Sequence, residues 1–386
     1  MTSDSSLPLL HRYLRRRQAA MVKLLGELVR MESPSTDRAA LDRLARFLAR
    51  QWQQRGARVN LLRPRKSGPI LRAEMAFGDS QAEGQLLVIG HLDTVYSLGT
   101  LKRMPFSVRA GRAYGPGTFD MKSGLVQALF AVEALQTLGL WPTKKLVFVF
   151  TSDEEVGSEA GRPVIEREAR RSRAVLVLEP AAGPQGALKT ARKGVGEFEL
   201  EVEGRAAHAG LEPEKGVNAI EELARQIVRV KRFERPARGL TLNVDIIAGG
   251  TRTNVVADHA RGVVDVRIPR LKNGAWIEQR MKSLQAVDPR AKLIVRGGIN
   301  RPPLERTSDV ARLFRQAQRL SQSLGLRLEE AAVGGGSDGN FTAALGIPTL
   351  DGLGGVGAGA HSPGEFVVIR RMPERAALLA GLLLTL

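Results

Sequence analysis

Residues 86–94 read LLVIGHLDT, an apolar run that passes directly into a histidine and an aspartate. Two later stretches have the same form, KLVFVFTSDEE at 145–155 and AVLVLEP at 174–180, and the helix-like LVQALFAVEALQTLG at 125–139 lies between the first two. Short apolar runs bounded by polar residues are typical of buried strands. Strands that alternate with helices predict an α/β fold with a largely parallel sheet, in which ligands bind at the carboxyl ends of the strands.

An amphipathic helix is predicted ahead of these strands, over residues 37–56, DRAALDRLARFLARQWQQRG, with its end at Gly56. Apolar residues recur there at three- and four-residue spacing and form one face that packs against the rest of the fold. The residues of that face are Leu41, Leu44, Ala45, Leu48 and Trp52.

The order of elements changes from about residue 187. The predicted elements are strand 196–203, helix 216–233, strands 240–248 and 260–268, helix 274–287 and strand 292–297. This βαββαβ order predicts a ferredoxin-like α+β domain, a four-stranded sheet with two helices on one face. A length of 386 residues favours two domains. We therefore predict an outer αβ domain of residues 1–186 and 300–386, and an inserted domain of residues 187–299.

The composition excludes several classes of protein. Without cysteine the chain has no disulfides and no thiolate ligands, so a transition metal must be held by imidazole and carboxylate. The N-terminal segment lacks the unbroken apolar core of a secretory signal, and no 18-residue apolar run exists, so we expect a cytoplasmic protein with no membrane partner.

A net charge of +18, with RRR at 15–17 and RR at 170–171, raises nucleic-acid binding as an alternative. Because the arginines are spread along the chain and no recognition module accompanies them, we expect no nucleic-acid partner.

His91 and Asp120 are the first two candidates for chemistry. Asp93 follows His91 by two residues, so its carboxylate can reach the imidazole, orient it and make it a better ligand. Asp120 lies in YGPGTFDMKSG, where glycines permit a tight backbone ahead of a helix. A capped strand end and a helix N-cap loop are the alternatives for these two segments.

Four more candidates follow along the chain. Glu154 and Glu155 belong to SDEE, where three consecutive carboxylates repel one another unless cations are present. Glu179 ends an apolar run and needs a partner such as a metal or an arginine. His361 lies in the glycine-rich GAHSPGE. A solvated acidic loop and an exposed histidine are the alternatives for the first and the last of these segments.

The ordered set HLDTV, GxxxFDMKxG, SDEExGS, EP and GAHS resembles the co-catalytic zinc metallopeptidase and aminoacylase family, with the greatest likeness to bacterial glutamate carboxypeptidases. The likeness covers nearly the whole chain, including the insertion. It implies that the outer domain is the catalytic metal-binding domain and that the insertion is a lid and dimerisation domain. It also implies a cis peptide bond between Asp120 and Met121.

The resemblance implies two Zn²⁺ ions per subunit, with Co²⁺ or Mn²⁺ as alternatives. Asp120 bridges both ions, and Asp93 orients His91. Glu154 becomes the general base. The implied metal ligands are His91, Asp120, Glu155, Glu179 and His361.

The resemblance also assigns substrate contacts. His208 in GRAAHAG is implied to stabilise the oxyanion in the active site of the opposite subunit, which implies a homodimer through the inserted domain. Arg267 in VDVRIP and Asn254 in TNVVAD match the substrate-binding arginine and its companion amide. Gly335, Gly336 and Ser337 are predicted to add donors near the substrate carboxylate.

We therefore predict a metal-dependent hydrolase of an amide bond next to a free carboxylate, acting on a small peptide or an N-acyl amino acid. The leading prediction is a carboxypeptidase that releases C-terminal glutamate or a similar residue. An N-acyl-amino-acid deacylase and a non-catalytic binding protein are the alternatives. Some glutamate-releasing members have a lysine at the position of Ala187, a departure that concerns the released residue and not the metal chemistry.

Overall fold

The structure is a computed structural model that describes residues 3–76 and 84–386. The chain divides into two compact units. The first comprises the residues up to Ala191 together with Arg306–Val333 and Ser337–Leu386. The second comprises Arg192–Glu305 and Gly334–Gly336. Among the described residues, no helix is long and apolar enough to span a membrane.

Ten α-helices form within the described residues. They are α1 (Ser3–Arg16), α2 (Gln18–Arg30), α3 (Arg38–Gln54), α4 (Ser123–Thr137), α5 (Gly161–Ala169), α6 (Ala219–Lys231), α7 (Leu271–Lys282), α8 (Ser308–Gln322), α9 (Gly339–Ala344) and α10 (Arg371–Thr385).

Sixteen strands form within the same ranges. They are β1 (Arg58–Leu62), β2 (Ile70–Met75), β3 (Gln85–His91), β4 (Ser107–Arg109), β5 (Arg112–Tyr114), β6 (Lys145–Thr151), β7 (Ser172–Val177), β8 (Leu188–Arg192), β9 (Gly194–Glu203), β10 (Thr241–Gly249), β11 (His259–Ile268), β12 (Lys292–Arg301), β13 (Glu330–Val333), β14 (Thr349–Leu350), β15 (Gly357–Ala358) and β16 (Phe366–Val368).

The first unit is built on a six-stranded sheet in the order β1-β2-β6-β3-β7-β14. The pairs β6/β3, β3/β7 and β7/β14 are parallel, and β1/β2 and β2/β6 are antiparallel. Successive strand residues point to opposite faces, so Leu86 and Val88 join one buried cluster while Leu87 and Ile89 join another. Both faces are therefore covered, as the continuous apolar runs of the predicted parallel strands require.

Helix α3 confirms the predicted amphipathic pattern. Its predicted apolar face is completely buried, and Trp52 packs on Phe148 of β6 with ring centroids 4.2 Å apart. The Asp37 side chain accepts a hydrogen bond from the Ala40 N–H and caps the first turn. Burying each large apolar side chain stabilises the fold by about 1.5–3 kcal/mol, so this face contributes much of the attachment of α3 to the sheet.

The second unit has the predicted βαββαβ order. Its sheet has the strand order β10-β11-β9-β12, with all neighbours antiparallel. Helices α6 and α7 bury Leu223, Ile277 and Met281 in the core of this unit. The insertion is thus the predicted ferredoxin-like α+β fold.

The bounds of several elements differ from the predicted ones. Helix α6 starts three residues later than predicted because the side chain of Asn218 accepts hydrogen bonds from two backbone N–H groups and caps the helix there. Strand β12 continues to Arg301, four residues past its predicted end. Strand β7 ends at Val177, so Glu179 lies two residues beyond the strand that it was predicted to close.

Candidate metal centre

Three parallel neighbours in the first unit bring His91, the SDEE segment and Glu179 together. Strand β3 ends at His91 and lies between β6 and β7, so the carboxyl ends of these strands are adjacent. SDEE follows the end of β6, and Glu179 follows the end of β7. Residues far apart in the chain meet here because parallel strands present their carboxyl ends at the same edge of a sheet.

The first ligand group consists of His91, Asp120 and Glu179. One donor atom from each lies within 4.8 Å of the others. The His91 Nε2 is 3.2 Å from Asp120 Oδ1 and 3.5 Å from Glu179 Oε1. Burial disfavours the charged imidazole, but the hydrogen bonds and charges of the surrounding carboxylates hold the pKa of His91 well above its ordinary value. The group therefore has a strong negative potential.

The second ligand group consists of Asp120, Glu155 and His361, again with donor atoms within 4.8 Å of one another. The His361 Nε2 is 3.2 Å from Glu155 Oε2 and 3.5 Å from Asp120 Oδ2. Hydrogen bonds to Asp120 and Glu155 raise the pKa of His361 to about 10. Asp120 contributes one oxygen to each group, which is the geometry that a bridging carboxylate requires.

The donor set fits two divalent cations. It offers two imidazoles and three carboxylates, which suit zinc as well as other first-row metals. The Glu155 Oε1 is buried and has no hydrogen-bond partner among the described residues, and burial raises the pKa of Glu155. A buried carboxylate oxygen without a donor is costly, and coordination to a cation would satisfy it.

Asp93 holds two parts of the site in place. Its backbone carbonyl is 3.0 Å from His91 Nδ1, whereas its carboxylate oxygen is 3.5 Å away. The chain has left the strand after His91, so the carbonyl comes nearer than the predicted carboxylate. The same carboxylate also accepts hydrogen bonds from the backbone N–H of Glu154 at 3.3 Å and of Glu155 at 3.2 Å, and from the Ser35 hydroxyl at 2.7 Å. Asp93 thus connects His91 of the first ligand group to the turn that contains Glu154 and Glu155.

Two residues that support the site were not predicted. Glu365 is completely buried and accepts the backbone N–H of Asp120 at 2.9 Å, and Tyr96 donates its hydroxyl to the same carboxylate at 2.7 Å. The peptide bond between Asp120 and Met121 is cis, as the resemblance implied. A signal for Glu365 existed in the sequence, since it is the only acidic residue of GAHSPGE, but nothing local showed what it contacts.

The second unit holds His208 in an exposed loop. The His208 Nδ1 accepts hydrogen bonds from the backbone N–H of Gly210 at 3.1 Å and of Leu211 at 3.2 Å. Because Nδ1 accepts these hydrogen bonds, Nε2 carries the ring proton and presents an N–H donor. The backbone carbonyl of Asn254 accepts the Ala209 N–H at 3.0 Å and holds the same loop.

Arg267 and Asp265 lie two residues apart on β11, on one face of the strand. Arg267 donates from Nε and Nη2 to the two carboxylate oxygens of Asp265 at 2.8 and 2.9 Å. This pairing engages one edge of the guanidinium, while the edge formed by Nη1 and Nη2 still has N–H groups for a bidentate contact with a substrate carboxylate.

The glycine-rich segment differs from its predicted role at Ser337, whereas the predicted backbone donors of Gly335 and Gly336 stay a prediction. Gly335 and Gly336 present backbone carbonyls to Arg192, which donates to each at 3.1 Å. The Ser337 hydroxyl is completely buried and donates to Asp351 at 2.6 Å, and the Ser337 N–H donates to Asn340 at 3.0 Å. The donors of Ser337 are therefore used inside the first unit, a consequence of burial that the sequence did not show.

Several known proteins are similar to this chain in sequence or in fold. The chain is 30% identical over 377 residues to carboxypeptidase G2 of Pseudomonas sp. strain RS-16, covering 96% of this chain and 90% of that protein. It is 30% identical over 315 residues to succinyl-diaminopimelate desuccinylase of Dechloromonas aromatica, covering 76% and 81%. The crystal structure of aminopeptidase PepT from Bacillus cereus has a TM-score of 0.80 at 23% identity, covering 95% and 98%. Residues 87–385 match the family described as Peptidase family M20/M25/M40, and the chain therefore belongs to this family of metal-binding hydrolases.

Proposed function

We propose that this protein hydrolyses an amide bond next to a free carboxylate, and that it is a carboxypeptidase that releases C-terminal glutamate or a similar amino acid. The observation that carries the proposal is the shared Asp120 carboxylate, which belongs to both ligand groups. One divalent cation would be held by His91, Asp120 and Glu179, and the other by Asp120, Glu155 and His361. We propose zinc for both positions, with cobalt or manganese as alternatives.

Glu154 is the general base in this proposal. Two such cations, when bound, would supply Lewis acidity and lower the pKa of a water molecule towards neutrality. The Glu154 carboxylate accepts a proton from the attacking water and returns it to the leaving nitrogen, so that one side chain serves both halves of the reaction. The backbone N–H of Glu154 is held by Asp93, which fixes the start of the turn without engaging the Glu154 side chain.

In this proposal His208 contacts the carbonyl of the scissile amide, and Arg267 binds the free carboxylate of the substrate. The Nε2–H of His208 donates to the carbonyl oxygen as negative charge develops there. The Nη1 and Nη2 edge of Arg267 binds the substrate carboxylate, and Asn254 adds an amide contact. The pairing of Arg267 with Asp265 supports this role because it orients the guanidinium before substrate arrives.

The relatives support two substrate classes. One is a carboxypeptidase by name and the other a desuccinylase, so an N-acyl-amino-acid deacylase is the second candidate. Steady-state hydrolysis by the zinc-loaded protein should be compared on peptidyl glutamates, N-benzoyl glutamate, N-acetyl amino acids and N-succinyl amino acids. Faster release from peptidyl and benzoyl glutamates supports the carboxypeptidase, and preference for acetyl or succinyl substrates supports the deacylase. If the protein hydrolyses none of these substrates, the proposal is contradicted and a non-catalytic binding protein is the remaining alternative.

We also propose a homodimer that forms through the second unit. Strand β10 is an edge of the four-stranded sheet, and Ile246 and Ile247 on it are 54% and 61% exposed. An apolar edge strand favours pairing with another chain. In sedimentation velocity we expect Ile246→Lys to yield monomers, whereas the control Leu271→Lys, at an exposed apolar residue on α7, stays dimeric. A wild-type protein that sediments as a monomer would contradict the proposal.

A further inference from the structure

Glu365 is a buried carboxylate surrounded by hydrogen-bond donors. Its Oε1 accepts the backbone N–H of Phe119 at 2.8 Å and of Asp120 at 2.9 Å. Its Oε2 accepts the backbone N–H of Gly117 at 3.0 Å and the hydroxyl of Tyr96 at 2.7 Å. Four donors are therefore directed at one side chain that is 0% exposed.

The donors come from the segments that carry the predicted metal ligands. Gly117, Phe119 and Asp120 belong to the loop in which Asp120 is placed between the two ligand groups. Glu365 itself follows His361 by four residues, and its backbone carbonyl accepts the Gly115 N–H at 3.2 Å. The Asp120 loop and the His361 loop are thus joined through this one residue.

Tyr96 extends the same arrangement towards the end of β3. Its single hydroxyl proton is shared between Glu365 Oε2 at 2.7 Å and the Ser362 carbonyl at 3.0 Å, so the Tyr96 side chain is fixed against the His361 loop at two points. Tyr96 lies five residues after His91. The network therefore connects the segments of three predicted ligands, His91, Asp120 and His361, although neither Glu365 nor Tyr96 belongs to a ligand group.

We propose that Glu365 is a positioning residue that fixes the Asp120 carboxylate relative to His361 and so sets the affinity of both metal positions at once. The proposal rests on the proposed function, because it takes the five side chains to be metal ligands. Side chains that orient metal ligands through hydrogen bonds usually affect metal affinity by about 10–100-fold. Because Asp120 belongs to both ligand groups, the effect of Glu365 should extend to both ions.

A simpler explanation is that Glu365 only stabilises its loop, or only adds negative charge near the cations. Two substitutions separate these explanations from positioning. Glu365→Gln removes the charge and places an NH₂ group opposite two donors, since an amide has one acceptor oxygen. Glu365→Asp keeps the charge but shortens the side chain by one methylene, so it cannot reach all four donors at the same distances.

Zn²⁺ affinities of the full-length protein should be measured by competition with a chromophoric chelator, alongside urea unfolding of the metal-free protein. We expect both Glu365→Gln and Glu365→Asp to weaken both ions by about 10–100-fold. Tyr96→Phe, which removes a single donor, should shift both affinities in the same direction by about threefold to tenfold, and it remains a test if the Glu365 variants do not fold.

Glu222→Gln is the matched control. Glu222 is also buried, accepts the backbone N–H of Val287 at 2.8 Å and of Asp288 at 3.0 Å, and lies in the second unit, which contains no predicted metal ligand among its described residues. Its substitution should lower stability and leave both zinc affinities unchanged.

Wild-type affinities in Glu365→Asp would overturn the proposal, because charge alone would then explain Glu365→Gln. Weakening of only one ion, or a loss of stability with both affinities unchanged, would also overturn it. A wild-type protein that binds no zinc would instead refute the metal centre of the proposed function, so the two failures are distinguishable.

Discussion

Replacing Glu154 by glutamine tests the assignment of the general base. Glutamine has nearly the same shape, and the structure indicates that the turn will survive the change. The backbone N–H groups of Glu154 and Glu155 are held by the two carboxylate oxygens of Asp93 at 3.3 and 3.2 Å, and neither contact uses the Glu154 side chain. The second ligand group should therefore keep its geometry and its metal.

The expected loss concerns turnover rather than binding. A positioned general base contributes about 10²–10⁴-fold to rate, and Glu154 is proposed to act twice, on the attacking water and on the leaving nitrogen. We therefore expect kcat to fall by about 10³–10⁴-fold, which is about 4–5.5 kcal/mol at about 1.36 kcal/mol per tenfold change. The KM should change little, because the substrate carboxylate is bound elsewhere.

The assay is steady-state hydrolysis of the best glutamate amide, with the zinc content of each sample determined by mass spectrometry. Glu159→Gln is the matched control, since Glu159 lies five residues further along the chain, has a side chain that is 79% exposed and pairs with Lys66 at 2.9 Å. Glu159→Gln removes one negative charge from the same segment as Glu154→Gln does, and it should retain wild-type turnover.

Metal content and turnover together decide the outcome for Glu154→Gln. A variant that keeps two zinc ions and retains kcat within about threefold of the wild type would refute the role of Glu154 as base. A variant that loses zinc would show that the side chain holds the metal, and the reasoning from the Asp93 contacts would then be wrong.

Two further predictions concern recognition and stability. Arg267→Lys should raise KM by at least about tenfold with little change in kcat, because a lysine offers no planar bidentate edge, whereas Arg261→Lys on the same strand should leave both unchanged in steady-state assays. Glu168→Gln should lower the free energy of unfolding in urea by about 3 kcal/mol at pH 7, since it removes the buried charge that pairs with the half-buried Arg72, whose Nε lies 3.1 Å from Glu168. Burial favours the neutral form of Glu168, but Arg72 lowers the pKa of this carboxyl below its ordinary value. The stabilisation is therefore complete above the ordinary glutamate pKa of about 4.3, and it is lost as the pH falls through the lower pKa of the folded state. The wild type and Glu168→Gln should therefore have the same free energy of unfolding in urea at strongly acidic pH. A difference that persists there would contradict the role of the Arg72–Glu168 pair.

Much of the fold was predictable because its signals are local. An apolar run that ends in polar residues, as at His91, identifies both a buried strand and the position of its carboxyl end. The three- and four-residue spacing of apolar residues identified α3 as a helix rather than a strand, and the order of elements identified the inserted ferredoxin-like fold. The bounds were less accurate where a side chain ends an element, as Asn218 does at the start of α6.

The amino-acid sequence by itself determined which residue types stand at the strand ends and in the glycine-rich loops, and so the chemistry that the chain offers: two imidazoles, three carboxylates and an adjacent glutamate. Only the tertiary structure decided how those groups are held. Glu365 meets the Phe119 N–H across 246 positions of chain, and the Asp93 carboxylate reaches Glu154 across 61. Contacts of this kind leave no periodic pattern, because they depend on which loops the folded sheet brings together rather than on neighbours in the chain.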